Sequence, residues 1–577
     1  MKRITGYTGF IILILTGFLC EGKVLFAQQG SFLDQSSLRP LTAGGSIGFS
    51  ASAYAVDGIE NRRSPAVVQA NANMNFSVFG LRSGLNLNYS TDDTGLRQNM
   101  NNLSFNATRK WLNVQAGDVN SKLSQYGLNG TTIRGGYIRM EPGNFLLELT
   151  GGRSQRAVRP SSESGFRQPA FEQWAAGGKI GYGNPSSTYF HLSSFYAIDE
   201  KLSITDSNIE ITPRENLTLT PDFQIDIFKG RLTIGSEVTA SIYTRDLNSG
   251  SFSLEEGGVP RFFSSFYTPR SSSRINYAGT ASANLNLDLF NLGLGYERIQ
   301  PGFRSLGRGR VRDDQEKILI NPALRLFNNR LNISSNIALG RDNLMNNRIQ
   351  TQRNSTINNN VQVVFSETIN LNIVYGLILN NITSEAVNDE IPGSGHSQIS
   401  HNLLLQPGFT FRGDTYTHNI SITGGYLTIE SKFDSQNQTP NRSFSSTSIT
   451  SALNYTITLP SGMSVSSSAN YLINQSGDLD LQNLGFNLGS SYSFFDRKLS
   501  VSANAGFSNN SSERENTTGN STTNKLQQLS GSLNSSYRLT GKDSFSITIR
   551  TRSNRVIQGG GRQFSELEGT FQYQRRF

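Results

Sequence analysis

The chain has 577 residues, of which 36% are hydrophobic and 16% charged, with a formal net charge of +9 and a single cysteine. One cysteine excludes a disulfide scaffold and a cysteine-rich zinc site. After the first ~20 residues no stretch approaches the ~18 apolar residues of a transmembrane helix, which excludes a helical membrane protein. The abundance of Gly, Ser and Asn also argues against a coiled coil.

The N-terminal segment has the pattern of a signal peptide. Lys2 and Arg3 form a positive start, residues 10–15 form a short apolar core, and Ala27 offers a small residue at the cut. Lipidation at Cys20 is the less favoured alternative, because Leu19 before it is large. We therefore expect residues 1–27 to be removed after export through the inner membrane. Residues 28–45 would form a short periplasmic segment, too small for the plug of an energised receptor.

The remaining chain alternates apolar and polar residues with a period of two, as β-strands with one apolar face do. The pattern is clear at residues 68–78, 277–289, 499–507 and 545–549. These runs reach ~9–13 residues, longer than the ~5–6 of an average strand and close to what a tilted strand needs to cross a bilayer.

The connections between these runs alternate between short and long. Tight turns are predicted at positions such as 228–231, 290–291, 328–330, 412–414 and 495–498, and polar loops at 153–173, 245–274, 298–317, 340–354, 380–398 and 509–525. Short periplasmic turns and long extracellular loops are typical of transmembrane barrels. We predict an all-β fold, a single large antiparallel transmembrane β-barrel of about 24–26 strands over residues 46–577. A secreted β-solenoid or adhesive β-protein is the alternative, but no motif repeats along the chain.

The last strand supports this prediction. Leu567, Gly569, Phe571, Tyr573 and Phe577 share one face with Arg575. A closing amphipathic strand with a terminal aromatic resembles the C-terminal signature of outer-membrane β-barrel proteins, although Arg575 replaces the usual apolar residue. The resemblance implies a cell outer membrane location and contact with lipid and lipopolysaccharide. It also implies assembly by periplasmic chaperones and the barrel-assembly machinery, with Phe571, Tyr573 and Phe577 as the assembly signal.

Residues 117–135 contain a second resemblance. Gly117-Asp118 and Arg134-Gly135 frame a hairpin that is similar to one in large export barrels, including fimbrial ushers. We predict a conformationally demanding hairpin in which Asp118 and Arg134 form a pair in the lumen. The alternative is the export function of an usher, which is less favoured because the chain leaves no room for the plug and periplasmic domains of ushers.

Arginines crowd two predicted loops. Arg153, Arg156 and Arg159, with Arg167, lie in one, and Arg304, Arg308, Arg310 and Arg312 in the other. If these loops fold inward, their guanidinium groups would attract anionic solutes. If they face outward, they would neutralise lipopolysaccharide phosphates or remain solvated.

Enzymatic motifs are nearly absent. His191, His396, His401 and His418 form no metal-binding motif, and His401 and His418 flank one hairpin at different heights. We expect no catalysis, no cofactor, no metal and no nucleic-acid partner. The predicted function is a channel for passive or gated passage of hydrophilic solutes, or for export of a polymer. The alternative is a non-conducting surface scaffold or secretion-machine component whose long loops bind a partner.

Overall fold

The computed structural model describes residues 41–78, 80–92, 101–159, 169–204, 211–251, 267–384, 394–435, 442–515 and 521–577. These residues form 26 β-strands and one short 3-10 helix, Lys201–Ser203. The strands are β1 (Leu41–Asp57), β2 (Ala66–Val78), β3 (Leu81–Ser90), β4 (Asn102–Arg109), β5 (Leu112–Asn120), β6 (Thr132–Met140), β7 (Phe145–Gln155), β8 (Gln173–Gly183), β9 (Tyr189–Asp199), β10 (Glu215–Ile227), β11 (Leu232–Thr244), β12 (Ser273–Asn286), β13 (Phe290–Ile299), β14 (Gln315–Leu326), β15 (Leu331–Asp342), β16 (Gln350–Val364), β17 (Ile369–Ser384), β18 (Ser394–Arg412), β19 (Thr417–Ser435), β20 (Arg442–Thr458), β21 (Ser464–Ser476), β22 (Leu479–Phe494), β23 (Leu499–Glu515), β24 (Ser521–Arg538), β25 (Asp543–Gln558) and β26 (Phe564–Arg576).

The strands close into one barrel. Each strand pairs antiparallel with its neighbours in sequence, and β1 pairs with β26 in a register that sets Phe49 opposite Tyr573. Backbone hydrogen bonds between Gly45 and Phe577, at 3.0 and 3.1 Å, continue this pairing beyond the end of β26. The predicted single antiparallel barrel of about 24–26 strands is therefore confirmed. β1 begins at Leu41, earlier than the expected boundary at residue 46, because its first residues already pair with β2.

The two faces of the sheet differ in polarity. Ile138 and Leu149 are cross-strand partners on β6 and β7 and are exposed, whereas the adjacent pair of Tyr137 and Thr150 is buried inside the barrel. The same alternation places exposed Leu, Ile, Phe and Tyr side chains on the outer face around the barrel. A closed sheet satisfies every strand's backbone without water, which a bilayer requires. An apolar exterior around a polar interior is the architecture of outer-membrane β-barrel proteins.

One end of the barrel carries tight turns with a recurring sequence. Residues 228–231, 327–330 and 495–498 each begin with Phe and are followed by Leu, and in each turn three successive residues have positive φ. The fourth residue of each turn donates its N–H to the carbonyl of the phenylalanine, at 3.0 to 3.4 Å. The turn predicted at 290–291 lies one step earlier, because Phe290 already begins β13 and residues 287–289 make the connection.

The opposite end carries longer hairpins, and much of what was predicted as loop is strand. β18 and β19 run for 19 residues each, and β23 and β24 for 17 and 18. Polar residues at 340–342, 380–384 and 509–515 therefore belong to strands. Beyond the bilayer the backbone still needs hydrogen-bond partners, and the adjacent strand supplies them.

Two clusters of buried apolar side chains lie on one side of the lumen, against β5–β14, and a third, Leu217, Ile242 and Tyr267, lies on the outer side of the sheet. Among the described residues, no helix has the length and apolar character needed to cross a bilayer.

Candidate functional site in the barrel lumen

The connection between β5 and β6, residues 121–131, folds into the barrel; we call it the inner loop. The Leu123 N–H donates to the Leu128 carbonyl at 3.0 Å, and the Gly127 N–H donates to Ser124 Oγ at 2.9 Å. These bonds turn the chain back on itself and project Leu123, Tyr126 and Leu128, each no more than 1% exposed. Three large side chains are thus shielded from water inside the lumen of a membrane barrel.

Small residues on the wall make room for the inner loop. Leu123 and Leu128 pack with Ala175 on β8 and Ala197 on β9. A Cβ at Gly177 would lie 2.6 Å from Leu123 Cδ1 and 3.0 Å from the Ser194 carbonyl oxygen, so a larger residue would force the Leu123 side chain to shift. The small residues of β8 and β9 therefore leave a depression in the wall that the inner loop fills.

The connection between β13 and β14, residues 300–314, covers the inner loop. Phe303 meets the edge of Tyr126 with ring centroids 6.1 Å apart. The Asn129 N–H donates to the Gly307 carbonyl at 2.9 Å, and Ser305 Oγ donates to the Gly127 carbonyl at 2.7 Å. We call the two segments together the insert.

Polar groups of the wall anchor the insert. Glu237 Oε1 on β11 accepts the backbone N–H of Gln125 at 2.5 Å and that of Tyr126 at 3.4 Å. Asn216 Oδ1 on β10, fully buried, accepts the Leu306 N–H at 3.1 Å. One carboxylate and one amide thus satisfy backbone groups of both segments, which a purely apolar floor would leave unpaired.

Ionisable side chains form a belt on this side of the inner wall. Arg139 lies 3.1 Å from Glu148, and His191 Nδ1 lies 3.6 Å from Asp222 Oδ2. Strand register continues the belt around the wall. It places Lys179 opposite Glu148, Glu237 opposite Asp222, and Lys317 opposite Glu297. We call these residues the charged belt.

The inner faces of β16–β24 have the opposite character. Among the described residues, these inner faces carry arginines only at or next to strand ends. Their other ionisable side chain is His396, and they carry no Asp or Glu. Asparagine, serine, threonine and glycine dominate, and Asn454, Asn487 and Asn504 are exposed to the lumen. We call this surface the neutral wall.

Asparagine and glycine interlock across the strands of the neutral wall. Gly489 is opposite Asn504, and a Cβ on this glycine would lie 2.4 Å from the Asn504 Oδ1 atom. Gly506 has the same relation to Asn487, at 2.6 Å. The missing Cβ lets each amide lie along the sheet instead of projecting into the lumen. Similar pairs are Gly485 with Asn470, Gly408 with Asn370 and Gly376 with Asn358.

Sequence reasoning missed these pairs and the inner loop. Alternating Asn and Gly on the polar faces of 483–489 and 504–506 is a visible signal. Which asparagine meets which glycine depends on strand register, which the sequence does not display.

The predicted pair of Asp118 and Arg134 is present, but it lies on the outer face. Arg134 Nε and Nη2 donate to the two carboxylate oxygens of Asp118 at 2.7 and 2.8 Å. The prediction of a lumen position is wrong, because the neighbouring Val119 and Ile133 take the buried inner positions. Gly117 has φ +98°, and a Cβ there would lie 2.1 Å from the Leu103 carbonyl oxygen, so the hairpin is conformationally demanding.

In the first arginine group, Arg153 lies away from the lumen. Arg153 faces outward beside Trp174 and lies 3.5 Å from Glu172. Arg156 is half-buried, Arg159 is exposed, and Arg167 falls outside the described residues.

The second arginine group belongs to the insert, so its loop does fold inward. Arg308 Nη1 donates to the Gln125 carbonyl at 2.5 Å, and its guanidinium lies 5.1 Å from the Tyr126 ring centre. Arg312 contacts Asp342 at 3.0 Å and Gln352 at 2.7 Å. Arg304 is half-buried and Arg310 is exposed. Two of the four charges are thus occupied with contacts inside the protein.

The C-terminal residues lie where the barrel closes. Phe571 and Tyr573 share the outer face, and Tyr573 donates its hydroxyl to Asp543 at 2.8 Å. Phe577 pairs through its backbone with Gly45. Their role as an assembly signal stays a prediction.

The histidines of the β18–β19 hairpin stand at different heights, as predicted. His401 is opposite Thr428, and His418 is opposite Phe411. Each shares a hydrogen bond with a tyrosine, at 3.0 and 2.9 Å. Within the described part of the chain, no three His, Cys, Asp or Glu side chains gather as metal ligands would.

No family model matches the sequence, and no curated protein matches it either. Among solved structures, the chain is similar to Acinetobacter baumannii OccAB4, with 10% identity over 71% of this chain and 99% of that one and a TM-score of 0.28. It is also similar to the P pilus usher (PapC) translocation pore, with 10% identity over 92% and 99% and a TM-score of 0.33. The ferric enterobactin receptor (PfeA) has 10% identity over 92% and 81%, with a TM-score of 0.38. The barrel assignment rests on the strand pairing and not on these similarities.

Proposed function

We propose that this protein is an outer-membrane channel whose cargo, a hydrophilic solute or an exported polymer, passes along the neutral wall. The observation that carries the proposal is the unequal cover of the lumen. The insert buries the inner residues of β10 and β11, such as Thr218 and Thr239, to 1% exposure or less. Asn487 and Asn504 on the neutral wall stay exposed.

The dimensions support a conduit. A closed sheet of 26 strands, ~4.8 Å apart and tilted ~40°, has a circumference of about 160 Å and a width of about 50 Å if circular. Barrels of this size enclose an aqueous or a plugged lumen. An insert built from two loop segments, lying against β5–β14, leaves the neutral wall as the hydrated side.

The wall itself suits passage and offers no chemistry. Uncharged amides and hydroxyls hydrogen-bond to water and to polar cargo without holding either through charge. Because the asparagine amides lie along the sheet, few side chains project into the path. The insert, anchored by Glu237 and Asn216, is the element that would set the opening.

Conductance measurements test this proposal. Purified barrel that shifts its gel migration on heating, a sign of a folded barrel, is reconstituted in planar bilayers. We expect stable current steps in the nanosiemens range. A heat-modifiable barrel that inserts into the bilayer but carries no current would contradict the channel.

That negative result would favour the scaffold alternative, which the long hairpins also support. Strands of 19 residues measure about 63 Å along the chain and about 48 Å in height at ~40° tilt, against an apolar band of ~25 Å. The β18–β19 hairpin thus extends well beyond the bilayer and offers paired backbone and side chains to a partner. Recovery of a defined complex with a closed barrel would support this role.

The proposal includes the route to the membrane. Removal of residues 1–27 would leave Gln28 as the first residue, and the barrel-assembly machinery would read Phe571, Tyr573 and Phe577. Mass spectrometry of the membrane-extracted protein tests the cleavage site, and a mature chain that retains residues 1–27 would refute it.

A further inference from the structure

A recess of about 340 Å³ opens in the inner wall where the neutral wall meets the seam of the barrel. Strand register sets five of its residues in one row across the sheet. Asn504 is opposite Ser532, Ser532 is opposite Arg550, Arg550 is opposite Glu568, and Glu568 is opposite Tyr54. The recess thus joins uncharged amide and hydroxyl groups on one side to charged groups on the other.

Guanidinium groups outnumber carboxylates around this recess. Arg550 and Arg552 on β25 adjoin Glu566 and Glu568 on β26. The β1–β2 connection adds two more arginines. Arg62 lies 3.4 Å from Glu566, and Arg63 lies 3.0 Å from Glu568.

The guanidinium groups are also more exposed to the lumen than the carboxylates are. The side chains of Arg63 and Arg550 are 64% and 62% exposed, whereas those of Glu566 and Glu568 are 17% and 25% exposed. Glu566 also accepts a hydrogen bond from the Tyr54 hydroxyl at 3.0 Å. The carboxylates therefore form the floor that orients the arginines, and the arginines form the surface.

The approach to the recess contains no repelling charge. The described inner faces of β16–β24 present no Asp or Glu, so an anion that follows the neutral wall meets the arginines first. On the opposite side of the lumen, the carboxylates of the charged belt stand among Arg139, Lys179 and Lys317, so the belt has no comparable excess of positive charge. An anion in the lumen is therefore attracted most strongly at the seam.

We propose that this recess binds a carboxylated, hydroxyl-rich ligand, an acidic oligosaccharide, as it passes through the channel. Arg550 and Arg552 bind the carboxylate through paired N–H donors, the geometry in which guanidinium recognises carboxylate. Asn504 and Ser532, in the same row, bind the sugar hydroxyls, which both donate and accept hydrogen bonds. This inference deepens the proposed function and rests on it for the path, whereas binding at the recess is measurable without conductance.

The test uses tetragalacturonate as the probe and maltotetraose as its neutral counterpart. Calorimetric titration of the full-length barrel in detergent measures binding, and current blockade in planar bilayers measures passage. We expect tetragalacturonate to bind and to block, and maltotetraose to do both at least about tenfold more weakly. The R550Q/R552Q double variant should lose about tenfold or more in affinity for tetragalacturonate.

The matched control is R412Q/R538Q, which removes two arginines from strand ends at the short-turn end of the same inner face. It should keep the affinity of the natural sequence. Equal loss in the two double variants would reduce the effect to net charge and overturn the site. So would equal binding of the neutral sugar, or tighter binding of tetraglutamate, which would make the ligand an acidic peptide. Binding without any conductance would refute the channel and leave the recess standing.

Discussion

The lumen of this barrel has two unlike sides. Against β5–β14, side chains are large, charged or fully buried, and the insert is bonded to the wall at Glu237 and Asn216. Along β16–β24, the inner face is built mainly from uncharged Asn, Ser, Thr and Gly, and several of its asparagine amides lie along the sheet. The same meander of strands thus forms a packed core on one side and a smooth aqueous surface on the other. The difference shows that the opening of a barrel depends on the side chains that line its wall as well as on the number of strands.

Removal of the inner loop would test the packed side most directly. Replacing residues 122–130 by a short Gly-Ser link takes away Leu123, Tyr126 and Leu128, on which the rest of the insert packs. We expect single-channel conductance to rise several-fold, since the width would then approach that of an unfilled barrel. Heat-modifiable migration serves as the control for folding. Unchanged conductance would mean that the insert does not limit the opening.

The anchor at Glu237 offers a milder change. Substituting Glu237→Ala leaves the N–H groups of Gln125 and Tyr126 without their acceptor, at a cost of about 1.5–3 kcal/mol for hydrogen bonds to a charged group. Brief transitions to higher conductance should become roughly tenfold more frequent in current recordings. Glu237→Gln should rescue part of the effect because its amide oxygen still accepts. Lys317→Gln, on the same belt, should leave the transitions unchanged, and an equal effect there would point to charge alone.

A Gly→Ala substitution can be made on both sides of the lumen, so the same added methyl group compares the two walls. A Cβ at Gly307 would lie 2.6 Å from the Phe195 ring and 2.7 Å from the Gly127 carbonyl oxygen, whereas at Gly485 it meets the rotatable Asn470 amide at 2.4 Å. Gly307→Ala should therefore destabilise the insert by about 1–3 kcal/mol, the usual cost of overpacking. Gly485→Ala should cost only about 0.5–1 kcal/mol, because the half-buried Asn470 amide can rotate and loses just its hydrogen bond to Asn483 Oδ1. The denaturant midpoints of the two variants measure these losses of stability. Equal losses would contradict the distinction between a rigid wall and an adaptable one.

We expect the smallest effect from arginine substitutions that test the charge selectivity of the channel. Arg310 is the exposed member of its loop, whereas Arg308 is occupied with the Gln125 carbonyl and the Tyr126 ring. We expect Arg310→Gln to shift the reversal potential in a salt gradient slightly toward cations, because one mobile guanidinium is screened within ~8–10 Å at physiological salt. Arg159→Gln, in the first arginine group, should leave the potential where it was. A larger shift from Arg159 would mean that the outer loops control selectivity.

The local periodicity of the chain was sufficient to predict much of the architecture. Alternation at 68–78 and 499–507 appears as β2 and β23, and the turns at 228–231 and 495–498 close where Gly230 and Asp496 predicted. Such signals depend on residues one or two positions apart, so they survive without knowledge of the fold.

Tertiary packing decided which way each connection folds and which face each residue joins. Residues 121–131 enter the lumen, while Tyr267, in another long connection, packs with Leu217 and Ile242 on the outer side of the sheet. Asp118 pairs with Arg134 as expected, yet strand register turns both outward.

By itself, the sequence determined that this chain forms long amphipathic strands, tight turns at one end and a closed antiparallel barrel. Only the tertiary structure decided that one side of the lumen is filled and the other open, and that Arg550 and Arg552 meet Asn504 at the seam. The physical reason is distance along the chain. A strand's alternation is local, whereas these contacts join residues far apart in sequence, and only barrel closure and strand register bring them together.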